Sequence, residues 1–62
     1  MSSAPKSNEN WLIVSEVADR LGVSKMTVYR MISEKEIKAY KFGRAFRIKP
    51  EDLEDYIEKS VI

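Results

Sequence analysis

The chain has 62 residues and a net charge of +1 at neutral pH, which corresponds to a single small domain. A chain this short buries only about 60% of the surface that its unfolded form exposes, so it has little material for the walls of an enzyme cleft. It contains no cysteine and no histidine, which excludes disulfides and removes the commonest metal ligand and general base. We therefore expect no catalytic residue, no metal ion and no cofactor.

Residues 1–10 are rich in Ser and Asn and carry almost no apolar side chains. We expect them to form a disordered tail ahead of one domain over residues 11–62. The chain has no apolar run long enough to span a membrane and no secretory signal at its N-terminus. These features predict a cytoplasmic protein without membrane contact.

The first predicted helix follows a short apolar segment, Trp11 to Ile13, which should cover one side of the core and be partly extended. Ser15 is the expected N-cap, and Glu16 lies in the first turn, where the helix dipole favours a carboxylate. Gly22 should end the helix with a positive φ. Apolar side chains at helical spacing predict one buried stripe: Val14, Val17, Ala18 and Leu21.

A second short helix should begin directly after this turn, with Ser24 as its N-cap. Val28, Met31 and Ile32 recur at helical spacing and should face the core. We expect the helix to end near Glu34 or Lys35.

From Lys38 onward the apolar residues alternate, which predicts a β-hairpin with its turn at Gly43 and Arg44. Tyr40 and Phe42 share one strand face, and Phe46 and Ile48 share a face on the other side of the turn. The opposite face and the tip of the hairpin should carry the basic residues Lys41, Arg44, Arg47 and Lys49.

Pro50 suits the first position of a last helix, with Glu51 and Asp52 in its first turn. Leu53, Tyr56 and Ile57 follow at helical spacing. This helix should close the core with them and turn its acids to solvent.

The charges are distributed unevenly along the chain. Residues 20–49 carry nine basic residues against two acidic ones, whereas residues 50–62 carry five acidic residues against one basic one. A basic middle segment is typical of a nucleic-acid surface. The alternative is that these side chains are simply a solvated face, since exposed hairpins often carry Lys and Arg for solubility.

The second helix has the residue types of a helix that enters the DNA major groove. Lys25 and Arg30 could donate to guanine edges or phosphates, and Met26 could contact a thymine methyl group. Alternatively, Met26 fills a gap in the core and Tyr29 packs against the hairpin. The candidate DNA-binding residues are Ser24, Lys25, Met26, Thr27, Tyr29, Arg30 and Ser33 in the helix, with Lys41, Arg44 and Arg47 in the hairpin.

The segment from Trp11 to about Glu58 resembles the excisionase-type helix-turn-helix domain, a small relative of the MerR-type winged helix. The motifs that carry the resemblance are Ala18…Gly22-Val23-Ser24, Thr27-Val28-Tyr29-Arg30, Phe42-Gly43-Arg44 and Arg47-Ile48…Glu51-Asp52-Leu53. The resemblance implies a mostly α-helical winged helix-turn-helix with a small β-hairpin. It also implies sequence-specific binding of double-stranded DNA, with helix contacts from Ser24, Lys25, Thr27, Tyr29 and Arg30 and a wing contact from Arg44.

Two positions depart from the family pattern. Lys35 stands where members often have the glycine that ends the second helix, and Lys38 stands where they often have proline. Lys35 must therefore adopt a left-handed backbone, or the helix must end differently.

Two functions in DNA biology are compatible with the resemblance: a recombination accessory factor similar to an excisionase, and a small transcriptional regulator. So small a module makes few base contacts, so we expect neighbouring copies on DNA, an integrase or another protein partner to add specificity. The alternative from a different class is a protein-interaction winged helix without DNA binding.

Overall fold

Three helices and a three-stranded antiparallel sheet make up residues 10–62, the part of the chain described by this computed structural model. The expected disordered tail lies outside this part, except for Asn10. This architecture confirms the predicted winged helix-turn-helix. The elements in chain order are β1 (Leu12–Ile13), α1 (Val14–Leu21), α2 (Lys25–Ser33), β2 (Tyr40–Phe42), β3 (Ala45–Ile48) and α3 (Pro50–Lys59).

Helix α1 begins earlier than the sequence predicts. Its N-cap is Ile13, and Ser15 lies inside the first turn with an exposed side chain, so the predicted Ser15 cap is wrong. The backbone N–H of Ile13 instead donates to Glu16 Oε1 at 3.0 Å. Glu16 therefore accepts from the N–H of the N-cap residue from the third helical position, which is the glutamate half of a capping box.

The turn between α1 and α2 has the predicted chemistry. Gly22 adopts a left-handed conformation with φ 72°, and the N–H of Val23 donates to the carbonyl of Ala18 at 3.0 Å. Ser24 Oγ then accepts from the N–H of Thr27 at 3.2 Å, which makes Ser24 the N-cap of α2. Gly22 and Ser24 thus fix the direction in which α2 leaves α1.

Helix α2 ends at Ser33, and Lys35 follows with φ 62°. Of the two possibilities for this position, the left-handed backbone is the one adopted. The N–H of Lys35 donates to the carbonyl of Ile32 at 3.1 Å, and the N–H of Glu36 donates to the carbonyl of Met31 at 2.8 Å. The turn places Ile37, 3% exposed, in the core.

The sheet has the strand order β1-β3-β2. The predicted hairpin is confirmed, with Phe42 opposite Ala45 across the Gly43–Arg44 turn. Strand β1 adds a third strand that periodicity did not predict, with Leu12 opposite Ile48.

The hairpin register corrects the prediction that its basic residues share one face. Tyr40 lies opposite Arg47, and Lys41 lies opposite Phe46. Because directly opposed residues share a face, Lys41 is on the face of Phe46, and Arg47 is on the face of Tyr40. The two-residue turn sets this register, so each face mixes aromatic and basic side chains.

The core lies between α1, α2, the inner face of the sheet and α3. Leu53 of α3 is buried, but Ile57 is 44% exposed, so the prediction that Ile57 closes the core is wrong. Leu53 is the deeply buried contact of this helix, and Tyr56 is half-buried beside the core. The buried residues are Leu12, Val14, Val17, Ala18, Val28, Met31, Ile37, Ile48 and Leu53, with Leu21, Ile32, Ala39 and Phe46 packed around them.

Candidate nucleic-acid interface

Helix α2 buries one side and exposes the other. Val28 and Met31 are buried and hold the helix on the core. The exposed side carries Lys25, Met26, Tyr29, Arg30 and Ser33. Met26 is 79% exposed, which excludes the alternative that it fills a gap in the core. The position of these side chains follows from helical spacing on a helix whose opposite stripe is apolar.

Ser24 and Thr27 act at the N-terminus of α2. Their hydroxyl oxygens lie 3.1 Å apart and share one hydrogen bond. Since each hydroxyl has one hydrogen, this contact uses one of the two and leaves the other for an outside acceptor. The pair can therefore cap the helix and still donate to an anion beside the helix N-terminus.

Tyr29 connects α2 to the hairpin. Its ring meets the ring of Phe46 edge to face, with centroids 6.0 Å apart, and Tyr29 remains 48% exposed. The alternative that Tyr29 packs against the hairpin is therefore confirmed, although half of the side chain is still accessible. On the same face of the sheet, Lys41 Nζ lies 5.7 Å from the centroid of the Phe46 ring.

A groove separates the start of α2 from the tip of the hairpin. Lys25 and Tyr29 line one wall, and Arg44, Phe46 and Arg47 line the other. The groove also contacts the junction of β1 and α1, where Ile13, Val14 and Ser15 lie. The structure thus brings basic side chains from two separate elements to one concave surface.

Arg47 is held in place at this groove. It is partly buried, and its Nη1 donates to the carbonyl of Phe46 at 3.2 Å. Arg44 is exposed at the turn. The hairpin therefore borders the groove with one partly buried and one exposed arginine.

Arg30 lies outside the groove, on the exposed side of α2, with its side chain 54% exposed. Its Nη1 donates to Glu34 Oε1 at 3.0 Å and lies 3.9 Å from Glu36 Oε2. Sequence reasoning missed this arrangement. The spacing of Arg30 and Glu34 by four residues was an available signal, since such pairs are neighbours on a helix surface.

The outer face of the sheet carries an aromatic cluster that sequence reasoning also missed. The Trp11 ring lies 5.0 Å from that of Tyr40 and 5.4 Å from that of Phe42, between centroids. Lys49 Nζ lies 5.4 Å from the centroid of Trp11 and 5.1 Å from that of Tyr40. Through this cluster Trp11, the residue before β1, packs on strand β2 across β3. Phe42 stays 51% exposed.

The acidic side chains and the helices of residues 10–62 bear on the requirements of metal sites and of membrane spans. Within this part of the chain, Asp and Glu side chains do not gather into groups of three or more that could hold a metal ion. The helices described there are too short and too polar to cross a bilayer.

The glycine turn, the exposed face of α2 and the adjoining hairpin together define a winged helix-turn-helix domain. A family model described as a helix-turn-helix domain matches residues 11–61. The chain belongs to this helix-turn-helix family, whose members are excisionase-like.

Proteins from two strains of Mycobacterium tuberculosis, provisionally named as DNA-binding proteins, are each 45% identical to the chain over 49 residues. Each match covers 79% of this chain and 63% of the relative. An uncharacterized protein of Bacillus subtilis is 46% identical over 43 residues, which is 69% of this chain and 14% of that protein. The chain thus spans less than two thirds of these curated relatives. No solved structure matches it significantly.

Proposed function

We propose that this domain binds double-stranded DNA, with α2 in the major groove and the β2–β3 hairpin, the wing, on the adjoining backbone and minor groove. The observation that carries the proposal is the groove where Lys25 and Tyr29 face Arg44 and Arg47. A major groove about 12 Å wide accepts one α-helix, and a basic extension beside that helix reaches the flanking phosphates.

The candidate residues divide by their chemistry. Lys25, Arg44 and Arg47 supply positive charge for phosphates, and an arginine at a wing tip is suited to a narrow minor groove. Ser24, Thr27, Tyr29 and Ser33 supply hydroxyl groups for phosphate oxygens. Met26 supplies an exposed apolar surface for a thymine methyl group, and Arg30 supplies donors for a base edge. Lys41 lies against the Phe46 ring and adds one more positive charge to the wing.

The relatives' names and the family support DNA binding, and neither calls for a catalytic role. We propose that the domain acts as a recombination accessory factor or as a small transcriptional regulator on DNA in the bacterial nucleoid. Neighbouring copies on the same duplex, an integrase or another protein partner would supply the contacts that one small module lacks. The genes adjacent to the coding sequence would separate these two roles.

The test is a selection of bound duplexes from a random pool, followed by a titration of the selected site against salt. A DNA-binding domain that neutralises several phosphates loses affinity steeply as salt rises. We expect Lys25→Gln to reduce the slope of log affinity against log salt by about 0.9.

Lys59→Gln is the matched control. It removes the same charge from α3, where Lys59 pairs with Asp55 at 3.1 Å, and it should leave the slope unchanged. Failure to select any duplex, or equal slopes for the parent and Lys25→Gln, would contradict the proposal.

A second candidate function is protein interaction without DNA binding, and the partly exposed aromatic cluster of Trp11, Tyr40 and Phe42 favours it. In that case, the random pool would yield no selected duplex with salt-dependent binding. A Phe42→Ser variant would then lose partner binding, whereas Lys25→Gln would not.

A further inference from the structure

The two acids of the basic segment contact the same arginine. Residues 20–49 contain Glu34 and Glu36 among nine basic residues. Glu34 Oε1 lies 3.0 Å from Arg30 Nη1, and Glu36 Oε2 lies 3.9 Å from the same nitrogen. The acidic residues are thus not spread over the basic surface but gathered at Arg30.

The backbone that follows α2 produces this arrangement. Glu34 is one helical turn beyond Arg30, so it reaches the guanidinium along the helix surface. Glu36 comes back toward Arg30 because Lys35 adopts φ 62° and the N–H of Glu36 donates to the carbonyl of Met31 at 2.8 Å. The chain thus uses an unfavourable lysine conformation at the residue that orients Glu36.

Both carboxylates approach Nη1. A guanidinium has five N–H donors in a planar fork, so Nε and Nη2 lie outside these two ion pairs. The free side of the fork matches the O6 and N7 acceptors of guanine, which an arginine contacts with two parallel hydrogen bonds.

The charge of the group argues against a phosphate contact. Arg30 with Glu34 and Glu36 carries one net negative charge, and a phosphate contact draws its free energy from neutralising the backbone and releasing counterions. A base edge carries only partial charges, so the two carboxylates repel a phosphate more strongly than they repel a guanine.

We infer that Arg30 reads a guanine edge rather than anchoring a phosphate, and that Glu34 and Glu36 are positioning residues that determine this specificity. The inference rests on the proposed DNA binding. The carboxylates bias the orientation of the fork, and they also disfavour registers in which a phosphate would lie beside α2. Lys25, Arg44 and Arg47 remain the phosphate contacts.

The experiment compares the full chain with its Glu34→Gln variant on the selected duplex and on duplexes in which each base pair is changed singly. We expect Glu34→Gln to tighten binding to every duplex by about two- to fivefold, because one negative charge near DNA is lost. At one G·C pair, discrimination between the selected and changed duplexes should fall by about two- to fivefold.

Arg30→Gln should abolish discrimination at that same pair and leave the salt slope at the parent value, whereas Lys25→Gln lowers the slope. In the Arg30→Gln background, Glu34→Gln should no longer change discrimination. Glu58→Gln removes an equal charge from an exposed position on α3 and should alter neither quantity.

Uniform tightening by Glu34→Gln with unchanged discrimination would overturn the inference while leaving DNA binding intact. A salt slope that falls by about one in Arg30→Gln would also overturn it, because Arg30 would then be a phosphate contact. Failure of the parent chain to bind any duplex would overturn both proposals, and that measurement comes first.

Discussion

Lys35 has a left-handed backbone conformation, and we therefore expect that replacing this residue with glycine stabilises the protein. A non-glycine residue with φ 62° is destabilised by about 1–2 kcal/mol relative to a right-handed one. Glycine removes this strain, but its greater freedom in the unfolded chain reduces the gain by about 0.5–1 kcal/mol. We therefore expect Lys35→Gly to raise the free energy of unfolding by about 0.5–1 kcal/mol.

Urea unfolding followed by circular dichroism measures this change. For a domain of this size the gain corresponds to a rise in Tm of about 2–8 °C. Lys35→Ala is the control, because it removes the same charged side chain but keeps the Cβ atom that causes the strain. If Lys35→Ala is as stable as Lys35→Gly, the gain does not come from the backbone conformation and the reasoning is wrong. Gly22→Ala should show the opposite effect, a loss of about 0.5–1 kcal/mol, because a residue with a Cβ atom is strained at φ 72°. The added Cβ atom would meet nothing within 4 Å, so the loss comes from the backbone conformation alone.

Three further substitutions test the interface and its support. Arg30→Ala should weaken binding to the selected duplex by about 1–3 kcal/mol without changing the unfolding curve; equal affinity in a gel-shift titration would contradict the assignment. Arg44→Ala should weaken all duplexes similarly and reduce the salt slope by about one, and an unchanged slope would count against a wing contact. Trp11→Ala should lower the free energy of unfolding by about 2 kcal/mol, because the ring packs on Tyr40 and Phe42. An unaltered urea midpoint would show that the outer cluster contributes nothing to stability.

Local sequence signals predicted those parts of the fold that depend on one residue and its immediate neighbours. Gly22 ends α1, Ser24 caps α2 and Pro50 begins α3, as the sequence indicated. Each of these residues has a backbone or hydrogen-bonding property that acts within a few positions along the chain. The incorrect Ser15 cap shows the limit of such signals, because the helix begins two residues earlier and Glu16 accepts from the N–H of its N-cap residue, Ile13.

Strand pairings between residues far apart in the sequence could not be predicted from local patterns. Strand β1 has two residues, which is too short for a period, and its partner Ile48 lies 36 positions after Leu12. The aromatic cluster depends on this pairing, since Trp11 reaches Tyr40 only after β1 has joined the sheet. The distribution of basic residues over both faces likewise follows from the hairpin register rather than from composition.

The candidate residues of the interface were predictable from the sequence, but the different contacts that each of them makes were not. Residue type and helical spacing place Lys25 and Arg30 on the same exposed helix. The structure separates them, because Lys25 lines the groove shared with Arg44, and Arg30 pairs with two acids outside it. Five residues of helix already turn these two positions about 140° apart, and what the sequence leaves open is the angle between α2 and the wing and the turn at Lys35 that brings Glu36 to Arg30.

The near-neutral net charge of the chain is compatible with DNA binding because charges act locally in salt. At physiological ionic strength the Debye length is about 8 Å, so acids farther than this from a phosphate hardly affect its attraction to a lysine. Five of the acids are on or beside α3, whereas the groove cations belong to α2 and the wing. The two acids within the basic segment are the exception, and both are bound to Arg30. Net charge therefore says little about this surface, and the position of each acid relative to the groove decides whether it opposes binding or directs it.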